Sequence, residues 1–165
     1  MILNVMAGLV VGLFATSLFW GLHYLGELRS TLGSQALWAA VIFHALTLVV
    51  TLWRQRSREL DIPFPKLLAA GLVVTLIAAM VSGLGTWIFM TWIDPGFLDW
   101  VKEQSLAQLA ELPLDEEQRR TQLEAVQAST PSSFIVQGMI AVLIRGFLLT
   151  LPIAALIRLR RVRSL

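Results

Sequence analysis

The chain has 165 residues, 56% of them hydrophobic and 15% charged, with a formal net charge of +2 and no cysteine. Without cysteine there is no disulfide, no thiol nucleophile and no zinc–thiolate site. The charges collect in four short stretches between long apolar runs, which excludes the scattered charge of a soluble domain, and bases placed beside apolar runs point to membrane topology rather than nucleic acid.

About 20 apolar residues at about 1.5 Å rise cross a hydrocarbon core, and backbone groups in lipid must be satisfied within the segment, so each long run predicts a helix. The first run covers roughly 3–25, from Leu3 to Leu25. It lacks a basic leading region and an A-x-A-like exit, so it reads as a mature helix rather than a signal peptide. The second covers roughly 35–53 and leads into RQRSRELDIPFPK, where Arg54, Arg56, Arg58 and Lys66 outweigh Glu59 and Asp61. The third covers roughly 67–92, from Leu67 to Trp92.

A polar segment, 93–131, follows with eight acids against Lys102, Arg119 and Arg120. Within TWIDPGFLDW, Asp94 and Pro95 predict the N-cap and first position of a new helix. Phe97, Leu98, Val101, Leu109 and Leu112 recur at helical spacing, which predicts an amphipathic interface helix that Pro113 ends. Trp87, Trp92 and Trp100 suit an interfacial aromatic belt. Asp115 and Gln118 predict the cap of a second helix over about 116–128, and Thr130 with Pro131 the start of the fourth span, roughly 133–157. That span leads to Arg158, Arg160, Arg161 and Arg163.

Bases dominate 54–66 and the C-terminal tail, acids dominate 93–131, and the short loop between spans one and two carries one of each, Glu27 and Arg29. The positive-inside rule then puts both termini in the cytoplasm and 93–131 outside. The expected fold is an all-α membrane protein, a single four-span bundle with an extracytoplasmic amphipathic helix pair between spans three and four.

Each span carries small or polar residues in a stripe: Gly8, Gly12, Thr16 and His23 in the first, and Ala40, His44, Thr47 and Thr51 in the second. The third has Gly71, Thr75, Ala79 and Gly83, and the fourth Gly138, Ala141, Arg145 and Pro152. Small stripes allow close helix approach, so all four are expected to face the bundle, with Gly8, Gly12, Gly71, Gly83 and Gly138 as packing positions. Arg145 is the notable residue. A charge at midspan costs about 2.5–3.5 kcal/mol on insertion scales, and no span holds an Asp or Glu to pair with it. Its candidate ligands are a lipid phosphate, a small anion or an acid of a partner span, with Thr16, Ser17, Ser82 and His44 as polar neighbours. A structural arginine solvated by trapped water is the alternative.

The W-x-D-P-x-F-L exit (Trp92, Asp94, Pro95, Phe97, Leu98), the acidic helix pair and the final span with its basic tail resemble a bacterial family of small inner-membrane proteins. That family is catalogued as a domain of unknown function, number four thousand one hundred and ninety-nine. The resemblance is strongest from about 66 to 161 and implies the four-span fold; it implies no activity. Arg145 stands where a small or apolar residue is expected in that family.

No H-E-x-x-H, G-x-S-x-G or glycine-rich phosphate loop is present, and two histidines far apart make no metal site, so neither enzyme activity nor a cofactor is expected. The expected role is a non-enzymatic accessory or scaffold protein that binds a membrane partner or anionic lipid; the alternative is a small oligomeric transporter of anions or lipids built on a midplane Arg/His cluster. Expected partners are membrane lipids and a membrane protein or further copies of the chain, not nucleic acid.

Overall fold

A computed structural model describes residues 1–59 and 61–159; Arg160, Arg161 and Arg163 of the basic tail lie outside the described residues. The protein is all-α. Its helices are α1 (Ile2–Tyr24), α2 (Thr31–Ala36), α3 (Trp38–Arg58), α4 (Phe64–Ile88), α5 (Phe97–Glu111), α6 (Glu116–Gln127) and α7 (Pro131–Leu159). A π-helical turn, Phe89–Ile93, prolongs α4. Four helical stretches are long and apolar enough to cross a membrane: α1, α2–α3, α4 with its π turn, and α7. This is a multi-pass membrane bundle.

The chain forms two compact units, residues 1–83 with 138–165, and residues 84–137. In the first, α1 ends on Gly26 (φ +75°), whose left-handed conformation lets Gly26 N–H reach His23 O (2.9 Å) and Glu27 N–H reach Leu22 O (2.8 Å). Ser30 then caps α2 by accepting from Gly33 N–H (3.0 Å). One face of each spanning helix closes the bundle. A Cβ on Gly8 would lie 2.6 Å from Ile77 Cβ and from Val74 O, and one on Gly12 2.6 Å from Val81 Cβ, so α1 rides directly on α4. Phe14 of α1 stacks on Phe43 of α3 at 4.2 Å between ring centres.

The contact of α4 with α7 is reciprocal. Gly71-Leu-Val-Val-Thr75 and Gly146-Phe-Leu-Leu-Thr150 run antiparallel. Gly71 receives the side chain of Thr150, and Gly146 receives that of Thr75, each filling the space where a Cβ would stand. Thr75 and Thr150 are fully buried as a result. Below this clasp, Leu52, Ile62, Leu67, Ala70, Ala154 and Ile157 make an apolar cluster.

In the second unit, Asp94 N–H donates to Phe89 O (2.8 Å), the wide closure of a π turn. Asp94 precedes proline and is held extended (φ −137°, ψ 80°). The next helix begins later, with Gly96 as its N-cap and no side-chain cap bond, so Asp94 does not cap a helix starting at Pro95. Its carbonyl instead accepts from Phe97 N–H (3.1 Å), and α5 starts at Phe97. Phe97 packs edge-on against Phe89 (5.4 Å) and beside Trp100 (5.5 Å), and Phe97 and Leu98 are the buried residues of α5. Asp115 caps α6 as expected, accepting from Gln118 N–H at 2.7 Å. Thr130 and Ser133 exchange side-chain-to-backbone bonds of 2.9 and 3.2 Å at the start of α7. No residue of α6 is buried; Leu123 and Val126 are half-buried and the rest of the helix is exposed.

Candidate functional site: a midspan arginine on the outward face of α7

The buried face of α7 consists of Gly146, Thr150, Ala154 and Ile157. These fall at four-, four- and three-residue steps, a single helical stripe. The stripe expected to face inward, Gly138, Ala141, Arg145 and Pro152, is exposed throughout. Gly138 is not a packing glycine, because a Cβ there would meet nothing within 4 Å. The clasp with α4 sets this rotation: with Gly146 seated on Thr75, the neighbouring Arg145 is carried to the side of the helix. Arg145 neither donates a hydrogen bond nor forms an ion pair with another described residue.

The other polar groups are satisfied differently. His44, 2% exposed, shares a 3.2 Å hydrogen bond between its Nε2 and Thr75 Oγ1. His44 is thus enclosed in the bundle, whereas Arg145 is exposed. Hydroxyls on the spans mostly return to their own helix: Ser82 donates to Ala78 O (2.8 Å), Thr47 to Phe43 O (2.8 Å) and Thr150 to Gly146 O (2.7 Å). Thr16 Oγ1 is buried with no hydrogen-bond partner among the described residues, while Ser17 is exposed. His23 is half-buried against Tyr24. Gly8, Gly12, Gly71 and Gly83 are buried. Asp94 and Trp100 are half-buried, Pro95 is exposed and Phe97 is enclosed.

Two contacts were not anticipated from the sequence. Asn4, buried in α1, accepts from Gln55 Nε2 at 2.6 Å, tying α1 to the end of α3. Arg56 Nη1 donates to Ile157 O, tying α3 to the end of α7. The signal was an amide in the first turn of an apolar helix, with a matching amide just past the second apolar run. Beside them, a hollow of about 320 Å³ is lined by Met1, Gln55, Arg58, Ile62 and Lys66. Lys66 is already paired with Glu59 at 2.6 Å. No group of three His, Asp or Glu suited to a metal occurs among the described residues.

These features define a small polytopic membrane protein with a close-packed interior and, among the described residues of its spanning helices, one charge at midspan, in an exposed position. The chain belongs to the family described as a protein of unknown function (DUF4199), which matches residues 5–158. No curated protein and no solved structure gives a significant match.

Proposed function

We propose that this is a non-enzymatic accessory or scaffold protein of a bacterial inner membrane, which binds a membrane partner or an anionic lipid through the Arg145 face of α7. The observation that carries the proposal is the exposure of a guanidinium at midspan with no protein acceptor among the described residues. A charge at that depth is costly unless something meets it, and a guanidinium is shaped to meet carboxylate or phosphate. Transport through an Arg/His cluster is less well supported, because His44 is enclosed with Thr75 while Arg145 faces outward. The bases after α3 and α7 support cytoplasmic termini, with α5 and α6 on the opposite side.

Native mass spectrometry of the whole protein in mild detergent tests the proposal. Wild type is expected to retain a phospholipid or protein partner that Arg145→Leu loses. Bare protein in both samples would sink it.

A further inference from the structure

The geometry points to one occupant for this face: a transmembrane helix of a different protein, carrying a carboxylate at the bilayer midplane and docked along Gly138, Ala141, Arg145 and Pro152. This rests on the accessory reading above and narrows it. Depth argues against a lipid headgroup. Arg145 is the central residue of α7, 14 residues from Pro131 and 14 from Leu159. At about 1.5 Å per residue, that is about 21 Å from either end. Arginines near helix ends snorkel to the interface, whereas one in the middle of a core about 30 Å thick is far from both.

Charge argues against a second copy. None of the four spanning helices contains Asp or Glu, so another copy brings no carboxylate to this depth. A two-fold pair through this face would bring Arg145 against Arg145.

Shape argues for a helix. Gly138 and Ala141 lie two turns and one turn before Arg145 on the same exposed face, and no described residue lies within 4 Å of a Cβ built on Gly138. A strip of small side chains lets two helix backbones approach closely, which brings the forked guanidinium and a carboxylate within bidentate reach. Lipid tails would close around this strip without meeting the charge.

The test uses the full chain in phosphatidylcholine vesicles with a synthetic Leu/Ala transmembrane peptide that carries one central Glu, and a twin with Gln. A central residue sits at the midplane whichever way the peptide inserts. Energy transfer between labelled protein and peptide is expected to report about tenfold tighter association for the Glu peptide. Arg145→Leu should remove that preference, and Ala141→Leu should weaken both peptides by closing the strip. Arg145→Glu should restore preference toward a peptide with a central Lys, which guards against a merely misfolded variant. Equal binding of the Glu and Gln peptides would overturn the inference, as would a preference that survives Arg145→Leu. If the peptides are equal but wild type alone keeps an anionic lipid in the mass spectrum, this inference fails and the accessory reading stands. If the protein is bare in both samples, without lipid or protein partner, both fail.

Discussion

Thr75 is the most constrained side chain of the bundle. Its methyl fills the space over Gly146, and its hydroxyl meets His44 Nε2 at 3.2 Å. Gly146→Val would push two backbones apart, an overpacking cost of about 1–3 kcal/mol, and should lower the melting temperature in detergent. Gly138→Val, on the open face, should change stability by less than about 0.5 kcal/mol, as a surface substitution does. The contrast between the two glycines tests the rotation of α7 directly; equal losses would contradict it. For the hydrogen bond, His44→Leu and Thr75→Val should each destabilise, because each leaves a buried polar partner unmatched. The double variant should lose less than the sum of the two, by roughly 0.5–3 kcal/mol of coupling. Strict additivity in denaturant titration would mean that the pair does not interact.

At the scale of elements, α7 shows where sequence reading fails in a membrane. Its length and place were legible, because an apolar run of that size has few other fates. Its rotation was not. Two stripes compete, Gly138–Ala141–Arg145–Pro152 and Gly146–Thr150–Ala154, and both carry small residues. In water, hydrophobic periodicity would choose between them; in lipid both faces are apolar, so it does not. The assumption that a charge turns toward protein chose the first stripe, and the fit of Gly146 to Thr75 selects the second. The stripes of α1 and α4 were legible because packing alone decides there, with no charge to mislead. Cap chemistry was legible where a side chain acts locally, as at Asp115, and failed at Asp94, because α5 starts at Phe97, two residues later than a cap at Asp94 requires. Asp115→Ala should cost α6 about 1 kcal/mol, seen as faster amide exchange confined to Glu116–Gln127. Faster exchange in α1 or α3 as well would show that α6 supports more than itself.

For the whole molecule, four crossings bring the chain back to the side where it began. Reporters fused after Leu114, in the turn between α5 and α6, and after Leu165, outside the described residues, should report opposite sides. Agreement between them would remove one crossing from the count. The expected direction rests on the paired bases and acids alone, since charge asymmetry belongs to loops and needs no knowledge of packing. What the loops do not encode is which helix touches which. The amide bond from Asn4 to Gln55 and the bond from Arg56 to Ile157 O join residues 51 and 101 positions apart, and no local pattern relates them.

The reciprocal glycine–threonine clasp also bears on how the protein is made. Gly146 and Thr150 leave the ribosome some seventy residues after Gly71 and Thr75. During synthesis α1 and α4 are already available to each other through Gly8 and Gly12, while the glycine notch at Gly71 waits for its threonine. The last apolar segment to arrive is therefore the one that carries the midspan guanidinium, and it enters a half-built assembly with a shaped seat ready for it. Once the clasp closes, Arg145 stands beside the seated stripe and not on it, so the register of two glycines and two threonines decides which way the charge points.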